Sequence, residues 1–168
     1  SGRASHAALG ALQAARLDPD TISKIELVCP PLIHRLVGRP YKVDMTPSYA
    51  RLCLSWLAAL MLLDGRIDPR RFASKEMADQ TKAALAAKIS LVADGNIDPN
   101  ALFPQELRVT LSDGSTQINA IEHTLGSPAN PLDEEQERAK YDFARQLAPT
   151  DADQRIFDDP LPYFTDPR

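Results

Sequence analysis

The sequence contains no His-Glu-x-x-His, no cysteine pair at metal-ligand spacing, no Gly-x-Ser-x-Gly and no glycine-rich phosphate loop. Zinc hydrolases, α/β-hydrolases and nucleotide-binding enzymes therefore lose their local signatures. Cysteine is scarce: Cys29 and Cys53 are the whole supply, and two thiols in apolar surroundings read as inert packing before they read as a disulfide or a metal site. Basic charge is not in excess either, with 19 Lys and Arg against 23 Asp and Glu for a net charge of -4. Nucleic-acid backbones are held by clustered cations, so a general nucleic-acid binder is excluded. No signal peptide and no run of about 20 apolar residues occurs, so no membrane span is expected and a cytoplasmic location is.

What is present is globular. A chain of 168 residues, 43% hydrophobic and 25% charged, is long enough for one core and too apolar for disorder. It begins on Ser1-Gly2 rather than on Met, which reads as a cloning scar or as a cut into a longer protein.

The longest apolar run, Leu52 to Leu63, is broken only by Ser55 and closes on Asp64-Gly65. Leu, Ala and Met favour helix, Pro47 suits a first turn, and Gly65 suits a left-handed residue just past the last one. One helix is expected over 47–65. Apolar nearly all round, it must be covered nearly all round, by other elements or by another domain or subunit.

Around it, residues 6–17 read as helix and 24–29 as a strand that Pro30-Pro31 ends. Residues 32–37 suggest a short helical piece before a Gly38-to-Tyr41 loop. A helix capped by Ser74 is expected over 74–88, followed by a strand at 89–93. Asp113-Gly114 marks a hairpin joining strands at 107–111 and 117–122. Asp133, Glu134 and Glu135 stand where a helix dipole favours anions, at the start of a charged helix reaching about Leu147. The segment Asp-Gly-x-Ile-Asp-Pro occurs at 64–69 and again at 94–99. Its glycine falls second rather than sixth, so a turn followed by an Asp cap and Pro at the first helical position is favoured over a calcium loop. These elements sum to an α+β two-layer sandwich, an approximately four-stranded and largely antiparallel sheet with helices on one face. The organisation expected is a domain over 1–147 and a Pro-rich extended tail over 148–168.

His6, His34 and His123 are the imidazoles that titrate near neutral pH. Each alone is more often a surface or satisfied core residue than a catalyst. Arg39, in Gly38-Arg39-Pro40, can present a fork to a carboxylate, though a lone exposed Arg is usually only solvated. Residue types and spacing by themselves leave an α+β domain of unspecified task.

Three collinear stretches carry more. LVGRPY followed by SYARLCLSWLAALMLLDGRI resembles the MmgE/PrpD family, in which an Arg-Pro-aromatic loop precedes an apolar helix closing on Leu-Asp-Gly. VTLSDGSTQINAIEHTLGSPANPLDEEQERAKYDFA is similar to that family's strand, Asp-Gly turn, strand, Gly-x-Pro-x-x-Pro-Leu and charged helix, with Gly126, Pro128, Pro131, Leu132, Lys140 and Tyr141 in those places. SGRASHAALGAL looks like the segment that leads through His into an Ala-rich helix.

The resemblance implies the smaller, C-terminal α+β domain of a protein whose N-terminal helical domain is absent from this chain. It implies relatives of the 2-methylcitrate dehydratase and cis-aconitate decarboxylase kind: homodimeric lyases that need no cofactor or metal and take a small tricarboxylate in a cleft between the two domains. His6 and His34 become the acid and base candidates and Arg39 the carboxylate clamp, with the domain inactive by itself. The chain departs from the pattern at Gly2, where the family has His or Cys, and near Leu36, where it has an aromatic hydroxyl. Those departures keep open an alternative, a non-catalytic binding or dimerisation module that retains the fold.

Overall fold

A computed structural model describes residues 2–153 and 155–159, with Ser74 described by its backbone alone. The chain divides into two compact units, Ser1–Leu125 and Gly126–Arg168.

The first unit is organised by helix α4, Leu54–Asp64, whose residues Leu54 to Met61 are all buried, Trp56 completely. Burying leucines such as Leu54, Leu57 and Leu60 contributes about 1.5–3 kcal/mol each. Gly65 ends the helix at φ 67°, its N–H on the Met61 carbonyl, as the left-handed stop requires. The cover for this apolar rod comes from its own unit: helices α1 (His6–Ala15) and α6 (Gln80–Ala87) and strand β2 (Ile89–Ala93) lie against it. No second domain is needed to bury it.

The expected single helix over 47–65 is two. Helix α3, Pro47–Ala50, is capped by Thr46 and stops because Cys53 leaves the helical conformation to bridge Gly38 as a strand-like pair. The expected helix over 74–88 is also two, α5 (Ser74–Met77) and α6. Asp79 interrupts it by turning its carboxylate onto the Thr81 and Lys82 N–H groups, a local bond that competes with the helical ladder. A cap by the Ser74 side chain lies outside the described residues.

Four strands form one sheet in the order β2-β1-β3-β4, with β1 at Ile22–Cys29, β3 at Gln105–Leu111 and β4 at Thr116–Ile121. The β1–β3 and β3–β4 pairs are antiparallel, the second closed by Asp113-Gly114 with Gly114 at φ 84°. The β1–β2 pair is parallel, which the helical crossover between them permits. Ile25, Leu27, Leu107 and Val109 face the helices and are buried, while Lys24 pairs with Glu26 and Arg108 with Glu106 on the other face. The fold is thus α+β with a mixed, mostly antiparallel sheet.

Two further readings hold in altered form. Asp68 caps a 3-10 turn at Pro69–Phe72, its carboxylate taking the Arg70 N–H at 2.9 Å. In the second copy of that motif, Asp98 takes the Asn100 N–H, but only a turn follows. In the second unit, α7 (Glu134–Leu147) opens with a reciprocal capping box between Asp133 and Gln136. Residues 155–158, expected within an extended tail, form one helical turn, α8 (Arg155–Asp158). Tyr141 donates to the Phe157 carbonyl and Arg145 pairs with Asp158 at 3.0 Å. The rest of the expected tail, 160–168, lies outside the described residues.

Candidate functional site

Three short pieces of chain carry the candidate residues. A 3-10 turn, Arg3–Ser5, runs into α1 and lies beside α2, Pro31–Val37. Ser5 is fully buried and its hydroxyl has no hydrogen-bond partner among the described residues. His6, the first residue of α1, is exposed. His34 is exposed on α2, and its carbonyl accepts the Gly38 N–H at 2.8 Å.

The Gly-Arg-Pro loop is pinned from both sides. Gly38 bridges Cys53 at the start of α4, and Tyr49 donates its hydroxyl to the Pro40 carbonyl at 3.0 Å. Tyr41 stacks on Trp56 with ring centres 5.9 Å apart and donates to the Met77 carbonyl at 2.7 Å. Burial, then the Asp79 charge, pushes the Tyr41 phenol up, so it stays a donor. Arg39 is exposed, its guanidinium carbon 5.2 Å from the centre of the Tyr49 ring, and the Lys42 ammonium lies 5.3 Å from the same ring. The loop therefore holds Arg39 by an aromatic face rather than by a carboxylate.

A cleft of about 640 Å³ opens on this unit, lined by Gly2, Ser48, Arg51, Leu52, Ile67, Pro69 and Phe72. None of His6, His34 and Arg39 lines it. Gly2 does, where the resemblance would place a His or Cys. Arg51, which also lines the cleft, is the single charged residue between Pro47 and Leu63. Beside the cleft, Asp68 is forked by Arg70, which holds its carboxyl below the ordinary range. Arg71 joins Asp64 at 2.9 Å and Glu76 at 3.0 Å.

Glu76 also accepts from Lys82 at 3.0 Å, and Asp79 from the same ammonium at 3.3 Å. The Lys82 side chain is only 10% exposed. Burial alone would lower its pKa, but the bonds to Glu76 and Asp79 outweigh it and hold the ammonium above its ordinary value. This network ties α4 to α5 and α6, and every carboxylate in it has a partner.

Among the described residues no group of three or more His, Cys, Asp or Glu side chains is placed to hold a metal ion, and both cysteines are free and buried. No helix among them is long and apolar enough to cross a membrane.

The MmgE/PrpD C-terminal domain matches residues 2–159. The chain belongs to that family. The match runs through the Arg-Pro loop, α4, the hairpin and α7, the same segments on which the sequence resemblance rests. No curated protein matches the chain. Of the two positions in this MmgE/PrpD domain at which the resemblance suggests departures, Gly2 lies on the cleft wall and Leu36 lies on α2 with 45% of its surface exposed.

Proposed function

We propose that this MmgE/PrpD domain is one wall of an interdomain cleft in a lyase resembling 2-methylcitrate dehydratase, with a small tricarboxylate as substrate. The family match over residues 2–159 supports this reading. The reaction removes a proton from the carbon beside a carboxylate, protonates the departing hydroxyl, and needs cations to hold the carboxylates. His6 and His34, both exposed, would serve as acid or base, and Arg39 on its tyrosine as a clamp. No cofactor is required for that chemistry. Its partners would be the helical domain of the same protein and a second copy in a homodimer, and its setting the cytoplasm. Alone, the domain would be inactive.

One observation favours the second reading, a binding or dimerising module. Gly2 and Leu36 carry no ionisable side chain where the resemblance calls for one. The experiment is turnover of 2-methylcitrate by the polypeptide that includes the helical domain, with His6→Ala, His34→Ala and Arg39→Ala introduced singly. Losing a general acid or base costs about 10²–10⁴ in rate. Unchanged turnover in all three variants would remove this domain from the chemistry.

A further inference from the structure

Arg51 follows the last turn of α3, with its guanidinium carbon 5.7 Å from the centre of the Phe72 ring. Phe72 is buried and therefore a fixed platform. The nearby arginines are already engaged, Arg70 by Asp68 and Arg71 by Asp64 and Glu76. Arg51 has no carboxylate partner among the described residues, although it lines the cleft. Ser48, one helical turn earlier, lines the same cleft and carries a hydroxyl. The remaining wall is apolar: Leu52, Ile67, Pro69 and Phe72, with Gly2 so close that a Cβ there would stand 3.3 Å from a Leu52 methyl.

We infer that this cleft binds a small carboxylic acid, its carboxylate on Arg51 and Ser48 and an alkyl group against Leu52, Ile67 and Phe72. A guanidinium held on an aromatic face is pre-oriented, so less freedom is lost when a carboxylate meets its fork. One unpaired cation accommodates one carboxylate; any others on the ligand must find cations outside this cleft. The apolar wall discriminates for an acid carrying a methyl beside the carboxylate. The choice of a carboxylate over other anions rests on the lyase reading above; the position of the site does not.

The test is an amide NMR titration of the 168-residue chain with 2-methylsuccinate, succinate and sulfate. Saturable shifts are expected at Ser48, Leu52 and Phe72, with 2-methylsuccinate about fourfold tighter than succinate, the worth of one buried methyl group. Arg51→Gln should weaken binding at least about tenfold, the loss of a charge-assisted fork. Ile67→Asp, which keeps Arg51 but sets a negative charge in the cleft, should abolish it. Arg108→Gln, on the far face of the sheet, should change nothing. Shifts centred on His34 and Arg39, unaltered binding in Arg51→Gln, no saturable shift, or sulfate binding as tightly as 2-methylsuccinate would each overturn the site. The two readings fail separately. Binding through Arg51 without turnover in the longer polypeptide keeps the site and loses the lyase, whereas turnover indifferent to Arg51→Gln loses the site alone.

Discussion

Gly38 donates its N–H to the His34 carbonyl at 2.8 Å, and a Cβ on Gly38 would stand 2.3 Å from that same oxygen. The backbone at Gly38 has φ -81°, which any residue adopts, so the need for glycine is one of space. Gly38→Ala must move either the end of α2 or the Cys53 bridge. Overpacking of this kind costs about 1–3 kcal/mol, read as a lower urea midpoint with the slope unchanged. A midpoint equal to wild type would contradict the close packing of Gly38 on the His34 carbonyl. Because the same loop carries Arg39, the substitution should also disturb any ligand contact made there.

The Glu76–Lys82–Asp79 network predicts a specific acid limb. Bonds from Lys82, then from Arg71, hold Glu76 below its ordinary value of 4.5. The Lys82 N–H, then its ammonium, hold Asp79 below 3.8. Both folded values are depressed, so the stabilisation is fully present above the unfolded values and is lost as pH falls through the lower folded ones. Glu76→Gln should therefore flatten the fall in stability below about pH 4.5, the ordinary value of Glu76, while leaving its shape above pH 6 unaltered. The raised Lys82 value acts at the other end, its contribution present at neutral pH and lost only as pH rises through it. Thermal denaturation from pH 3 to 7 reads the acid effect. An acid limb identical in the two proteins would show that Glu76 gains nothing on folding.

Cys29 closes β1 in a buried position, where burial and then the Asp94 charge push its thiol up to about 11. The thiolate is the reactive form, so iodoacetamide at pH 8 should not modify Cys29 in the folded chain. Cys53 is buried to the same degree and should be protected by lack of access. Mass spectrometry should find both thiols intact before denaturation and both alkylated after it. Rapid native labelling of either would contradict the packing.

Much of the fold was legible because it is written in local chemistry. Gly65 and Gly114 do what their residue type predicts, a left-handed stop and a hairpin turn, and Asp133 stands at the start of α7, where the helix dipole favours an anion. The breaks at Cys53 and Asp79 were not legible from helical propensity. One is caused by a bridge to Gly38, distant in sequence, and the other by a carboxylate that chose backbone N–H groups over solvent. Burial of α4 by α1, α6 and β2 is a tertiary property, which an apolar run demands without saying who supplies it. The parallel β1–β2 pair is another. The titratable candidates His6 and His34, and Arg39 with them, are legible as residue types, but the cleft of Gly2, Ser48, Arg51, Leu52, Ile67, Pro69 and Phe72 is assembled from segments distant in sequence.

The proposed lyase site is completed from outside this chain. The direct measurement is loss of water from 2-methylcitrate by the 168-residue chain alone and by the longer polypeptide that joins it to the family's helical domain. No turnover is expected from the chain and measurable turnover from the longer form. Turnover by the chain alone, or none by the joined protein, would contradict that proposal.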